Sequence, residues 1–317
     1  MPHTSSLLER FLVGGLLLLL LWLPLPLGSN RDWAIGLMLL AIGVLACGWA
    51  FAQWRGLLGR NSRSTLKAAR PMLLLLLAAQ LWVAVQWLGG LSADSGATVQ
   101  NLLLGLGYCL LFMLCVSLCN SRKRLTLLLT TLVVSGTLQA FWGSFMTLSG
   151  TEWLLVGPKT TGTGVASGTF VNRNHLAGYL EMTLACAIGL LLALRDGRPF
   201  SWVNLLELLL GPKARLRLAL VVMVIALVLT RSRTGNTALF ISLLLTGGLF
   251  VLIEKQHRLR NSLILGSIIL IDVLIISQYF GLEQLKDRLV NTQLRDVVVE
   301  GVVVQKSTED RPDVFAY

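Results

Sequence analysis

The sequence predicts an all-α fold, a polytopic transmembrane helical bundle of about nine spans. Three observations predict it. First, 55% of the 317 residues are hydrophobic and only 14% are charged, against about 25% charged in a soluble domain. So apolar a chain cannot cover a globular surface with polar groups and needs lipid as its solvent. Second, uninterrupted apolar runs recur at the length of about 20 residues that a helix needs to cross the hydrocarbon core. Third, the basic residues alternate between adjacent connectors, rich on one side and sparse on the other.

The first run, Leu7 to Leu27, is too long for a cleaved signal sequence, and Pro24 and Pro26 stand where small cleavage-site residues would be needed. It reads as the first span. Further spans are predicted near 33–54, 71–88, 99–119, 125–148, 174–194, 214–230, 235–253 and 261–280. Residues 1–124 form an N-terminal helical region and 125–280 a transmembrane core. Residues 281–317 begin an outer, polar segment in which Leu282, Leu285, Leu289 and Val290 have amphipathic helical spacing.

With the N-terminus inside, the inner connectors hold seventeen Lys and Arg residues, and the outer ones before residue 281 hold five: Arg31, Lys159, Arg173, Arg231 and Arg233. This split places the N-terminus in the cytoplasm and 281–317 outside. The formal charge of +11 is then mostly orientation bias, and no nucleic-acid partner is implied. Two connectors exceed a turn. The inner segment 195–213 reads as an interfacial amphipathic helix. The outer segment 149–173 is rich in Gly and Thr and reads as irregular backbone, with Glu152, Trp153 and Lys159 at headgroup level.

The five cysteines all lie in apolar runs and read as reduced packing residues rather than metal ligands. No phosphate-binding glycine loop, zinc spacing or nucleophile elbow occurs.

Charges at a membrane edge each need a reason. Arg173 opens the sixth span within TFVNRNHLAGYLEM, flanked by Asn172, Asn174 and His175. One reading is a capped helix end with a snorkelling arginine. The other is an anion site, in which free backbone N–H groups and a guanidinium hold phosphate or diphosphate. Arg231 and Arg233, in LTRSRTGN, repel each other and oppose the orientation bias. An anion shared with Arg173 accounts for all three. Glu181 sits about 10 Å deeper than Asn174 on the same helix face, and Asp272 lies in the ninth span. Pairing with arginine is the usual state of such carboxyls. His175 and Glu181 are the weak candidates for catalytic groups.

At these two motifs the chain resembles the O-antigen ligase/polymerase superfamily of bacterial inner-membrane glycosyltransferases. Phe170, Asn172, Asn174 and Ala177 resemble its F-x-N-x-N-x-x-A signature, and Ser232 with Arg233 resembles its Ser-Arg signature. The resemblance covers the chain from about residue 125 on. It implies a GT-C-type fold and transfer of a glycan from undecaprenyl diphosphate on the periplasmic side, with no metal or cofactor. The acceptor would be a lipid A core, a growing polysaccharide or a protein. By motif, Arg233 holds the diphosphate, with Arg173 and Arg231 beside it and Asn172, Asn174 and Ser232 in support.

The family pattern also has more spans and a large late outer loop with a histidine. No histidine follows His257 here, so the chain is expected to be a truncated member. Two other classes fit the same residues. One is a transporter or flippase of lipid-linked glycan using Glu181 and Asp272. The other is a non-catalytic partner of a glycan assembly complex.

Overall fold

The computed structural model describes residues 6–155, 157–193, 212–253, 262, 266, 297–299 and 302–304. Among them are eight α-helices: α1 Leu7–Trp22, α2 Asp32–Trp54, α3 Arg60–Leu88, α4 Ser95–Leu118, α5 Arg122–Ser149, α6 Arg173–Ala193, α7 Pro212–Leu229 and α8 Arg233–Ile253. Two small antiparallel ribbons accompany them. β1 (Trp153–Leu154) pairs with β2 (Gly157–Pro158), and β3 (Val297–Val299) pairs with β4 (Val302–Val304). The chain divides into two units, one up to Ile241 and one from Ser242 on.

The fold is thus a helical bundle, as the apolar runs predict, and the ribbons are additions to it. Four helices, α2 to α5, are long and apolar enough to cross a membrane. Their outward faces agree with that. On α3, Leu74, Leu75, Leu81 and Leu88 are each more than half exposed, an apolar surface of the kind that lipid covers.

Most helix bounds lie within a few residues of those predicted, and the differences have local causes. α1 stops at Trp22 rather than Leu27. Pro24 and Pro26 supply no N–H to continue the ladder, and the chain turns instead through Leu25 N–H to Trp22 O and Gly28 N–H to Pro24 O. α3 starts eleven residues before Pro71, where the apolar run begins. Its polar extension, 60–70, packs on α4: the Ser62 and Ser117 hydroxyls are 2.5 Å apart, and Thr65 Oγ1 donates to Val116 O. Asp94 and Ser121 cap α4 and α5 by accepting from the N–H groups of Ala97 and Arg124.

The buried core has two parts. Leu12, Leu16, Met38, Ile42, Leu114 and Leu118 knit α1, α2 and α4 together. The helices α5, α6 and α7 pack on one another, closely enough that a Cβ on Gly136 would meet Thr183, as small residues allow in membrane bundles. At one end of the bundle Glu9 of α1, buried, accepts a 2.6 Å charged hydrogen bond from Arg124 of α5. At the opposite end lies the long connector 150–172.

Asp272 and all but residues 262 and 266 of the expected ninth span, the segment 195–211 and the helical reading of 282–290 lie outside the described residues.

Candidate functional site

The connector between α5 and α6 is irregular, as its composition predicts, apart from the short β1–β2 ribbon, and it is tied down at many points. Gln139, inside α5, takes the N–H of Thr169 on its Oε1 at 3.0 Å. The Thr169 hydroxyl donates to Pro24 O, which follows α1. The N–H of Ala166 donates to Leu229 O at the end of α7. Gly168 adopts φ +59° with its Cα against Gly143, and a Cβ there would fall 2.7 Å from Gln139 Oε1. Only glycine suits both the left-handed backbone and the close approach. Phe170 is buried between Gly28 and the ring of Tyr179, whose hydroxyl donates to Ser135.

Glu152 and Lys159 pair within the connector. Glu152 Oε1 accepts the N–H of Gly164, and its Oε2 lies 3.7 Å from Lys159 Nζ. Lys159 Nζ donates to Val165 O at 2.6 Å. Its side chain is only 7% exposed. Burial holds the amine below its usual range near 10.5; Glu152 opposes that shift and the nearby charge of Arg173 adds to it. So the connector is a folded cap on the bundle, with its own internal charge pair.

Arg173 begins α6 directly after this cap. Asn172 terminates the cap and starts the helix: its Oδ1 accepts from the Asn174 N–H at 2.8 Å, and its carbonyl accepts from His175. Arg173, Asn174 and His175 are exposed, and Leu176 and Ala177 behind them are buried. The capped helix end is therefore real, and it leaves the guanidinium free to face outward.

Arg231 and Arg233 flank the elbow between α7 and α8. Thr230, fully buried, donates from Oγ1 to Leu227 O and accepts the N–H of Ser232. Arg231 takes a left-handed conformation, φ 50°, which costs a non-glycine residue about 1–2 kcal/mol. The reversal lets α8 start at once. Ser232 is its N-cap, buried, accepting from Gly235 N–H at 3.2 Å. The side chains of Arg231 and Arg233 are exposed on either side of it.

The two arginine-bearing elements meet. A Cβ on Gly235 would lie 2.6 Å from the Ala177 methyl, so the first turn of α8 comes close to the first turns of α6 at this glycine. Arg173, Arg231 and Arg233 have no carboxylate partner among the described residues. Glu181 stands apart. It is half-buried, about 12 Å along α6 from Arg173, and it makes no ion pair among the described residues. The pairing expected for it is not formed there.

Several polar groups at this end escaped the sequence reading. Gln139 anchors the cap. Trp142 Nε1, Ser144 Oγ and Asn236 Nδ2 are buried without a hydrogen-bond partner among the described residues, an arrangement native proteins seldom leave unexplained. The signal for all of them was available, since polar side chains within apolar spans are rare enough to mark function or packing.

Comparison of the chain with protein-family models, with curated proteins and with solved structures finds no match to any of them.

Proposed function

We propose that this protein is a membrane glycosyltransferase that takes a glycan from undecaprenyl diphosphate, with the arginine cluster as the diphosphate site. The observation that carries the reading is the junction of α6 and α8. It gathers three exposed arginines, without carboxylate partners among the described residues, at one end of the bundle, and those residues sit in the two motifs that resemble the O-antigen ligase/polymerase superfamily. A departing diphosphate gains negative charge that preorganised cations stabilise. In this reading Arg233 bears on the diphosphate directly, and Arg173 and Arg231 flank it. Asn172 and Ser232 fix the helix ends that present them, and Asn174 lines the same exposed turn. His175, exposed on that turn, is the candidate general base.

The same reading carries the finer features of the assignment. These are nine spans in a GT-C-type arrangement, the bacterial inner membrane with the N-terminus in the cytoplasm, and the arginine end facing the periplasm. The acceptor is a lipid A core, a growing polysaccharide or a protein.

The test is Arg233→Ala in the full protein, with glycan transfer measured in cells at matched protein level. Transfer falls by a factor of ten or more, on the order of what loss of one transition-state donor costs. Unchanged transfer sinks the role of Arg233.

A second reading draws on Glu181, a carboxyl in α6 with no ion pair among the described residues. It makes the chain a proton-coupled carrier of lipid-linked glycan. Glycan flux into liposomes that follows an imposed pH gradient, and that Glu181→Gln abolishes, would favour this second reading over transfer chemistry.

A further inference from the structure

The extension of α3 carries a second candidate site, far from the arginine junction. Arg60, Arg63, Lys67 and Arg70 recur at intervals of three and four residues, and the helix is continuous from Arg60 to Leu88. At 100° per residue all four fall on one face. Arg63, Lys67 and Arg70 are exposed, and none has a carboxylate partner among the described residues. Ser62 and Thr65 point the other way and hydrogen-bond the end of α4. The basic face is therefore held outward by the packing of its opposite face.

The same face continues past Pro71 as Leu74, Leu77, Leu81 and Leu88, exposed by 54%, 40%, 66% and 76%. Basic stripe and leucine stripe share one arc of about 100°. Depth agrees with this division. The 29 residues of α3 span about 44 Å, close to the full bilayer with its headgroups. The stretch from Pro71 to Leu88 spans about 26 Å of that, most of the hydrocarbon core. Arg70 and Lys67 then stand in the headgroup layer, with Arg63 just beyond.

The geometry points to a binding site for an anionic glycerophospholipid on this face of α3. Its phosphate lies between Arg70, Lys67 and Arg63, and its acyl chains run along Leu74, Leu77 and Leu81. Guanidinium and ammonium groups at headgroup depth attract acidic lipids, and the leucines below supply the apolar continuation that a free phosphate or an acidic peptide would not use. By the charge count this is the cytoplasmic leaflet. The site stands independently of the glycan-transfer reading.

The test uses the full-length protein in detergent, titrated with dioleoyl-phosphatidylglycerol or dioleoyl-phosphatidylcholine and read by native mass spectrometry. The wild type retains phosphatidylglycerol in preference. The triple variant Arg63→Gln, Lys67→Gln, Arg70→Gln binds it on the order of a hundredfold more weakly, as loss of three surface cations implies. A control variant that removes equal charge off the stripe, Arg55→Gln, Arg122→Gln, Lys123→Gln, changes binding less than twofold. Equal losses in the two variants, or no preference for phosphatidylglycerol in the wild type, overturn the site. A second measurement needs no variant. Phosphatidylglycerol with a photoreactive acyl chain, reconstituted with the wild type, labels α3 between residues 70 and 81. Label spread evenly over α2 to α5 overturns the site, as does α3 crosslinking in cells to an acidic protein in place of lipid.

Discussion

Gly235 of α8 faces Ala177 of α6 so closely that a Cβ on the glycine would lie 2.6 Å from the alanine methyl. This contact sets the distance between the helix turns that carry Arg173 and Arg233. A methyl at Gly235 must push them apart. Gly235→Ala is expected to destabilise the protein by about 1–3 kcal/mol, the usual cost of overpacking, and, under the proposed function, to lower glycan transfer with every arginine in place. The variant that adds Ala177→Gly to Gly235→Ala recovers both. Thermal unfolding in detergent and transfer in cells check the pair, and a null effect of Gly235→Ala on both would remove the contact from the argument.

Ser232 sits between two exposed arginines but is itself buried, and its hydroxyl oxygen accepts from Gly235 N–H. Its role is to start α8, so Ser232→Ala is expected to cost about 1 kcal/mol as a lost N-cap. Ser232→Asn, which can still cap, loses less. Denaturant or thermal melts rank the two. The reverse order would mean that the hydroxyl serves something other than the helix end.

At the other end of the bundle, Glu9→Gln leaves Arg124 without its carboxylate. Glu9 is 5% and Arg124 17% exposed at the side chain, so the pair is largely but not wholly shielded. Breaking a buried pair by removing one partner costs about 3–5 kcal/mol. Partial exposure, and the second bond from Arg124 to Leu118 O, bring the expected loss to about 2 kcal/mol. The double variant Glu9→Leu, Arg124→Leu is expected to lose less than Glu9→Gln alone, since no orphaned charge remains. Melting temperatures of the three proteins decide it.

Lys159 gives the connector cap a pH response. Its amine is held below 10.5 in the fold, mainly by burial. Between the folded and unfolded values the unfolded chain binds more protons, so stability rises with pH across that window. Below the lowered folded value the penalty for charging the buried amine is present in full. The cap, followed by the fluorescence of exposed Trp153, should therefore unfold at higher temperature as pH climbs toward 10.5. The Lys159→Gln variant should show no such rise. A flat profile in the wild type would contradict the shift.

The legible part of the fold was its period and its punctuation. Apolar runs marked where α2, α4 and α5 lie, because spanning lipid needs a fixed length of apolar helix. The apolar runs alone start α4 and α5 four and three residues late, because the caps at Asp94 and Ser121 are set by local polar chemistry. The apolar run carries α1 to Leu27, five residues past its end at Trp22, because Pro24 and Pro26 stop the helix inside the run. The start of α3 was missed because a polar helical extension carries no apolar signal. The arginines of the candidate site were legible as charges that oppose the orientation bias. Their company was not. Gln139 holds Thr169 across thirty residues, and Glu9 meets Arg124 across 115; no periodicity reports such pairings.

By itself, then, the sequence determined that this is an α-helical membrane bundle and that Arg173, Arg231 and Arg233 are costly charges at its helix ends. Solvent sets those features residue by residue: lipid demands apolar length, and each charge near it demands a reason. Only the tertiary structure decided that the first turns of α6 and α8 touch at Ala177 and Gly235. The same holds for the connector between α5 and α6, which folds into a cap around Lys159, and for the basic face of α3, which turns away from α4. Those facts depend on which helix faces pack together, and packing is settled by shape and hydrogen bonding between segments far apart in the chain.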